Sequence, residues 1–160
     1  MSLENVKSHL MKFGLDERII IPEASSATVA EAAAALGCEE CEIAKTMSFI
    51  VEDAPIVIVM AGDARIDNGK YKGYFHTKAV MIKPEEVEAL LGHPVGGVCP
   101  FALPSGVNVY LDESLRRFDY IYPAAGTRNS AVKLTPAELE SASGAKEWIC
   151  VTKGWGEDGE

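Results

Sequence analysis

The sequence predicts an α+β fold, in which helices flank a mixed β-sheet. The chain has 160 residues, which suits a single domain over residues 1–160, and 48% of them are hydrophobic, which suits a buried core. The helical and strand-like segments alternate irregularly, because two strands follow the second helix directly and short helices interrupt the later strands. Regular alternation of strand and helix would instead predict a parallel sheet.

The first half of the chain contains two helices and three strands. Apolar residues at helical spacing predict a helix over residues 3–13, and a threonine cap with a terminal glycine predicts a second helix over residues 28–36. A short strand is predicted over residues 18–22. Two runs of apolar and β-branched residues, 46–51 and 56–60, predict adjacent strands that are central and buried.

The second half combines short helices with further strands. The polar segment 63–75 predicts an irregular loop. A proline in the first turn and a glycine after the last predict helices over residues 84–91 and 136–143, and an aspartate cap predicts a short helix over residues 113–118. Further strands are predicted over residues 79–82, 107–111, 120–123, 131–134 and 147–152.

Composition narrows the functional class. The net charge of −9 argues against a nonspecific nucleic-acid binder and against DNA as a partner, since affinity for a polyanion comes from clustered lysine and arginine. The longest apolar run, residues 55–61, is too short to span a bilayer, and the polar N-terminus lacks a signal-peptide core. We therefore expect a cytoplasmic protein without a membrane partner, whose four cysteines are free thiols.

A group of basic residues leaves two interpretations open. The stretch 65–83 contains one acidic residue and five basic residues, which are Arg65, Lys70, Lys72, Lys78 and Lys83. These side chains form either an ordinary solvated face or a local anion-binding surface on an otherwise acidic protein.

No familiar cofactor or nucleophile motif is present. The sequence lacks the glycine-rich dinucleotide and P-loop patterns, the GxSxG pattern of hydrolases and the HExxH zinc pattern. Cys38 and Cys41 form a CxxC, but the flanking glutamates disfavour a thiolate and no second CxxC completes a zinc site. We expect local packing at this motif, with no metal and no cofactor.

The segment VGGVCPF permits two kinds of chemistry. Cys99 and His93 could form a thiol–imidazole pair, although no orienting acid is evident and a buried thiol is the simpler interpretation. Gly96 and Gly97 let the backbone approach a ligand closely, and Pro100 restricts the end of the turn. Such a loop could aim amide groups at an oxyanion, but an ordinary tight turn has the same sequence.

Lys45 interrupts the apolar entry to one of the predicted central strands. A lysine at such a position either extends its amine to solvent or points into a polar pocket. The residue alone does not distinguish these two arrangements.

Six segments, taken together and in this order, identify a family. They are AAALG (33–37), IAKTMSF (43–49), AGDARID (61–67), PEEVEALLGHPVGGVCPF (84–101), VYLDESL (109–115) and AAGTRNSAVKLTPAEL (124–139). This pattern resembles the YbaK/ProX family of aminoacyl-tRNA deacylases, relatives of the editing domain of bacterial prolyl-tRNA synthetases. The resemblance implies that family's compact α+β domain with a mixed, curved, barrel-like sheet.

The resemblance also implies roles for individual residues. Lys45 matches the family's lysine that contacts the 3′-terminal adenosine of tRNA, and Gly96 and Pro100 frame the loop that holds the aminoacyl ester. We predict that the backbone of Gly97 meets the scissile carbonyl, so that Lys45, Gly96 and Gly97 form the catalytic set. Substrate-binding positions are predicted at Thr46, Val98, Cys99, Pro100, Phe101 and Asn129. For Asp63 and Asp67, a structural role is favoured over catalysis.

The implied function is hydrolysis of the ester of mischarged tRNA, of the Cys-tRNA(Pro) or Ala-tRNA(Pro) type. Backbone donors would stabilise the oxyanion, and water or the substrate itself would attack. The expected partner is the 3′ acceptor end of tRNA, with prolyl-tRNA synthetase as a second candidate. Two alternatives stay open: a non-catalytic module of the same fold that binds tRNA or a synthetase, and a Cys99-dependent hydrolase of small esters.

Overall fold

The computed structural model describes residues 2–22, 28–95, 97–127 and 129–155. The helices are α1 (Ser2–Met11), α2 (Val29–Leu36), α3 (Asn68–Phe75), α4 (Pro84–Leu91) and α5 (Pro136–Ser143). The strands are β1 (Ile19–Ile20), β2 (Ile43–Val51), β3 (Ala54–Ala61), β4 (Arg65–Ile66), β5 (Asn108–Asp112), β6 (Tyr122–Pro123), β7 (Ala131–Val132), β8 (Glu147–Ile149) and β9 (Thr152–Lys153). Short 3₁₀ turns lie at Asp16–Arg18, Glu40–Glu42 and Glu113–Arg117.

Within the described ranges, the main sheet has five strands in the order β6-β2-β3-β5-β8. The hairpin of β2 and β3 is antiparallel. The other three pairs of neighbouring strands, β6 with β2, β5 with β3 and β8 with β5, are parallel. Two antiparallel pairs, β1 with β7 and β4 with β9, complete the strand pairing. The fold is therefore α+β with a mixed, curved sheet and flanking helices, as predicted.

The core lies on both faces of β3. The whole stretch from Ile56 to Ala61 is buried, as the uninterrupted apolar sequence of an internal strand predicts. On one side Phe49 packs against Tyr71 with 5.2 Å between ring centroids. Val6 and Leu10 of α1 are fully buried as well, because they lie one helical turn apart on the same face.

The predicted helix caps are present. The Thr28 hydroxyl accepts a hydrogen bond from the Glu31 amide at 3.1 Å, and the Glu31 carboxylate accepts one from the Thr28 amide at 3.3 Å. Thr135 and Glu138 form the same capping box at the start of α5. These pairs satisfy amide groups that have no partner within a first helical turn, so they define where α2 and α5 begin.

The prediction of a loop over residues 63–75 is wrong, because this segment contains β4 and α3. The Asp67 carboxylate caps α3 by accepting a hydrogen bond from the Lys70 amide at 3.0 Å. Tyr71 is fully buried and also stacks with Phe75, 4.7 Å between centroids. Packing of these aromatic rings stabilises a helix whose two glycines and polar residues hide it in the sequence.

Two strand predictions need correction. Residues 79–82 form only an isolated bridge between Met81 and Phe49. The strand predicted over residues 147–152 is divided into β8 and β9, because the amide of Val151 turns aside to donate to the buried Asp112 carboxylate at 3.0 Å. Because of this change of direction, β8 pairs with β5 whereas β9 pairs with β4.

Asp112 joins three parts of the fold at the end of β5. Its side chain is fully buried, and it accepts hydrogen bonds from the Ser114 amide (3.0 Å), the Val151 amide (3.0 Å) and the Thr152 hydroxyl (2.6 Å). The Ser114 hydroxyl in turn accepts from the amide of Ala61 at 3.0 Å. A buried carboxylate needs such partners, and through Ser114 this network also fixes the end of β3.

Over the described parts of the chain, no helix combines the length and apolar character that crossing a membrane requires.

Candidate functional site

A cavity of about 380 Å³ lies against β2. The side of β2 from Ile43 to Ser48 forms one wall, and α2, α4, the segment near Val98, β6 and β7 supply the others. Its lining residues are Thr28, Val29, Ala32, Ile43, Ala44, Lys45, Thr46, Met47, Ser48, Met81, Ile82, Pro84, Val87, Val95, Val98, Tyr122, Ala124, Ser130 and Ala131. The walls are mostly apolar, which is typical of small-ligand sites.

Lys45 is the one charged side chain among the described residues that line the cavity. Its Nζ atom lies 3.5 Å from the carbonyl oxygen of Gly62. Burial lowers the pKa of the amine, and the negative charge of Asp63 partly opposes this shift. The side chain is half-buried rather than extended into solvent, so the structure favours the pocket arrangement over the solvent one.

Gly62 can hold its carbonyl beside Lys45 because it has no side chain. A Cβ atom at this position would collide with the carbonyl oxygen of Glu40 and would lie 2.9 Å from Cγ1 of Val29. The chain after β3 therefore packs directly on the 3₁₀ turn that follows α2.

Thr46 lines the cavity next to Lys45 and carries an unsatisfied hydroxyl. The Oγ1 atom is buried and has no hydrogen-bond partner among the described residues. A buried hydroxyl without a partner costs about 1–3 kcal/mol, so it stands out in an otherwise well-satisfied strand.

The Gly97 amide donates a hydrogen bond to the Pro94 carbonyl at 2.9 Å. This bond closes a tight turn and occupies the N–H group that the sequence predicts to meet an ester. Position 97 has no room for a side chain, because a Cβ atom there would lie 2.7 Å from the backbone of Gly126 and 2.8 Å from Cα of Thr127. The other predicted loop glycine, Gly96, lies outside the described residues.

Val98 follows in the same loop and lines the cavity. Its amide makes no hydrogen bond to any residue that the structure describes. The Val98 amide is therefore a candidate hydrogen-bond donor to a ligand in the cavity.

Cys99 is fully buried and does not line the cavity. Its sulfur lies 3.6 Å from Nε2 of His93, so the predicted pair exists as a contact. Burial raises the pKa of the Cys99 thiol to about 12 and lowers the pKa of His93. A thiol at this pKa supplies almost no thiolate at neutral pH, so the structure gives no support to a cysteine nucleophile.

The other predicted substrate-binding residues lie away from the cavity wall. Phe101 is fully buried in the core, and Pro100 is buried beside it. Asn129 accepts a hydrogen bond from the Thr127 hydroxyl at 3.2 Å. Of the predicted site residues, the cavity thus brings together Lys45, Thr46 and Val98.

Asp63 and Asp67 have structural contacts. Asp63 pairs with Arg117 at 2.6 Å, and Asp67 caps α3. At the CxxC, burial and neighbouring acidic groups raise the pKa of both thiols, that of Cys38 to about 11, which agrees with packing rather than thiol chemistry. The basic residues of the stretch 65–83 are all exposed.

Several cavity residues were not predicted from the sequence. Val29 and Ala32 of α2 contribute an apolar wall, and Ser130 contributes a buried hydroxyl at the opposite side. Ser130 belongs to the segment that resembles the family, but nothing in its own type marks it as a cavity residue. Its position depends on the pairing of residues around β6 and β7, which sequence periodicity does not reveal.

The lining contains no histidine, aspartate or glutamate among the described residues. The hydroxyls of Thr46, Ser48 and Ser130 consequently have no acid or base beside them in the cavity wall. This arrangement suits binding of a neutral group with one anionic contact near Lys45, and any chemistry would depend on positioning and on backbone amides.

Comparison with known proteins finds relatives that cover almost the whole chain. The family model described as "Aminoacyl-tRNA editing domain" matches residues 23–142. The uncharacterized protein YwhH of Bacillus subtilis is 48% identical over 156 residues, which cover 97% of this chain and 99% of that protein. A proline–tRNA ligase of Streptococcus equi subsp. equi is 28% identical over 138 residues, and these cover 84% of this chain but only 22% of the ligase.

Solved structures give the same result. A candidate trans-editing enzyme for prolyl tRNA synthetase superposes with a TM-score of 0.86 at 30% identity, covering 96% of this chain and 98% of the other. The hypothetical protein APE2540 superposes with a TM-score of 0.83 at 33% identity, covering 93% and 99%. With the family model spanning most of the sequence, these matches show that the chain belongs to the aminoacyl-tRNA editing domain family.

Proposed function

We propose that this protein is a trans-editing deacylase that hydrolyses the ester bond of mischarged tRNA(Pro), with alanine or cysteine as the esterified amino acid. The observation that carries the proposal is a cavity whose described lining contains one cation, Lys45, and no histidine, carboxylate or thiol to act as nucleophile or general base. An aminoacyl ester is already activated, so hydrolysis requires little more than positioning and oxyanion stabilisation.

The proposed binding mode has two contacts. The Lys45 ammonium binds the phosphate and polar groups of the 3′-terminal nucleotide, near the start of β2, where it also contacts the Gly62 carbonyl and is close to the charge of Asp63. The aminoacyl group enters the apolar part of the cavity, where Val29, Ala32 and Val87 provide small and branched walls. A cavity of this character disfavours amino acids with cationic side chains, because its described lining has no acidic group to pair with them.

The proposed chemistry uses the main chain. The Val98 amide donates a hydrogen bond to the carbonyl oxygen as negative charge develops on it, and a donor of this kind contributes about 10²–10³ in rate. A water molecule, or the thiol of an esterified cysteine, attacks the carbonyl carbon. The ester C–O bond then breaks, and the ribose oxygen leaves with a proton.

A panel of Ala-, Cys-, Ser- and Pro-tRNA(Pro) tests the proposal. Purified protein at low concentration should release the amino acid from one or more of the first three esters and leave Pro-tRNA(Pro) intact. Full retention of Ala-, Cys- and Ser-tRNA(Pro), under conditions where an editing domain of known activity works, would refute it. Binding of tRNA without ester loss would instead identify a non-catalytic module.

A further inference from the structure

Two loops that are distant in sequence meet without intervening side chains beside the cavity. A Cβ atom on Gly97 would lie 2.7 Å from both the carbonyl carbon and the carbonyl oxygen of Gly126, closer than any real side chain tolerates. Gly126 itself has a φ of 100°, which favours glycine. Main chain therefore rests directly on main chain at this point, and a shift of one loop must shift the other.

The second loop is held by hydroxyl groups. We call its described residues, Gly126, Thr127, Asn129 and Ser130, the Thr127 turn. The Ser130 hydroxyl accepts from the Thr127 amide at 3.2 Å and from the Thr127 hydroxyl at 2.7 Å. Ser130 is 2% exposed, and its carbonyl accepts from the Ala125 amide at 3.3 Å. The turn thus has a fixed shape where it contacts Gly97.

We propose that the Thr127 turn positions the Gly97 loop, and with it the Val98 amide, for the reaction. Thr127 and Ser130 are then positioning residues that act through Gly126 and Gly97. This inference rests on the proposed function, because it assumes that the Gly97 loop contacts the ester.

Positioning of this kind has a large effect on rate. An oxyanion donor works only when it lies within hydrogen-bond distance of the oxygen in the transition state, and a displacement of about 1 Å can cost about 10²-fold. The apolar walls that are proposed to bind the aminoacyl group lie on α2 and α4, and Ser130 is the one described residue of the Thr127 turn that lines the cavity. Loosening the turn should therefore slow the chemical step and leave substrate binding nearly unchanged.

Thr127 provides the cleanest variants because it does not line the cavity. Thr127→Val keeps the shape of the side chain and removes its hydroxyl, whereas Thr127→Ser keeps the hydroxyl. In single-turnover deacylation, Thr127→Val should lower the maximal rate constant about tenfold with the half-saturating enzyme concentration within about twofold of wild type. Thr127→Ser should restore most of the rate.

A pair of glycine variants tests the contact itself. Gly97→Ala places a methyl group against the backbone of Gly126, and we expect the maximal rate constant to fall about 10²-fold. Gly73→Ala in α3 is the matched control, because a Cβ atom there meets nothing within 4 Å and the site is not involved. Gly73→Ala should retain the wild-type rate.

A measurement without substrate separates this inference from the proposed function. Hydrogen exchange of the Gly97 amide, which is bonded to the Pro94 carbonyl, should be faster in Thr127→Val than in wild type or Thr127→Ser. Unchanged exchange, or an unchanged rate constant in an active enzyme, would overturn the positioning role. A wild-type protein that is inert on every ester would overturn the proposed function, and the exchange comparison would still decide whether the turn holds the loop.

Discussion

The sulfur of Cys99 lies 3.6 Å from Nε2 of His93, yet this nitrogen is already bound to a different atom. It is 2.7 Å from the carbonyl oxygen of Phe101, which can only accept a hydrogen bond, so Nε2 carries the proton. A protonated nitrogen cannot remove a proton from the thiol. The contact is therefore one of packing, although its residue types resemble a catalytic pair.

Cys99→Ala should keep deacylase activity within about twofold of wild type, because the thiol is neither ionised nor exposed to the cavity. The free energy of unfolding should fall by about 1–2 kcal/mol, since the change leaves a small void in the core. Urea unfolding and single-turnover kinetics measure the two effects, with Cys150→Ala at an exposed position as the control. Loss of activity in a folded Cys99→Ala protein would restore the thiol mechanism.

Lys45→Ala should lower kcat/KM by about 10–100-fold, the effect expected from losing a charge-assisted hydrogen bond of about 1.5–3 kcal/mol. The cause is loss of the one cation that lines the cavity among the described residues. Lys12→Ala, which removes an exposed lysine near α1, is the matched control and should behave as wild type. Equal kcat/KM values for both variants would remove Lys45 from the site.

Asp63→Asn should shift the pH dependence of the reaction. The Asp63 charge favours the ammonium form of Lys45, so its removal lowers the pKa of that amine further below its ordinary value. Binding that needs the ammonium is complete below this pKa and disappears as the pH rises through it. The alkaline limb of kcat/KM, corrected for spontaneous ester hydrolysis, should therefore move to lower pH.

The control for this shift is Asp53→Asn, in the turn between β2 and β3 at the opposite end of the hairpin. It makes the same change of charge and should leave the alkaline limb in place. Because Asp63 also pairs with Arg117, unfolding should be followed at each pH. An unshifted limb in a folded Asp63→Asn protein would show that the ammonium of Lys45 does not govern the profile.

Thr46→Val should increase stability while reducing activity. The valine replaces a buried, unsatisfied hydroxyl by a methyl group, so the free energy of unfolding should rise by about 1 kcal/mol. If Thr46 contacts the substrate, as the sequence predicts, kcat/KM should fall, with Thr46→Ser less affected. Thermal unfolding and deacylation measure the two changes, and a variant that is both more stable and fully active would show that the hydroxyl has no part in catalysis.

Asp112→Asn should destabilise the fold by about 2–4 kcal/mol. The two oxygens of the carboxylate accept hydrogen bonds from three donors, whereas the amide of asparagine has a single acceptor oxygen. The amide NH₂ group would also face a neighbouring donor. Urea unfolding of this variant measures the effect, and Asp119→Asn, which makes the same change at an exposed position, is the control. Equal midpoints and slopes would mean that the network contributes little to stability.

Local rules predicted the elements whose boundaries depend on nearby residues. The caps at Thr28 and Thr135 and the proline of α4 each act within the first turn of their helix, so the sequence reveals them directly. The helix α3 was missed because its stability comes from the packing of Tyr71 against Phe49, 22 residues earlier in the chain. Sequence periodicity contains no information about such a contact.

The site was predictable to a similar extent. Lys45 and Thr46 could be predicted as site residues because they interrupt an apolar strand within a segment that resembles the family. Val98 could be predicted because it follows the two glycines of the loop. The structural need for glycine at position 97 could not be predicted from the sequence. A side chain there would collide with the backbone of Gly126, which comes close to Gly97 only in the folded chain. The burial of Cys99 likewise depends on the whole core rather than on VGGVCPF.

The direct contact between the backbones of Gly97 and Gly126 has a consequence for how the family can diversify. In the proposed mechanism the main chain supplies both the support and the oxyanion donor, so the apolar side chains of the cavity wall take no part in the chemistry. Substitutions at wall positions such as Val29, Ala32 or Val87 can then alter which amino acid fits, one residue at a time, without rebuilding the reaction. On the proposed mechanism, a change of substrate would therefore require substitutions in the wall alone, with the two loops left as they are.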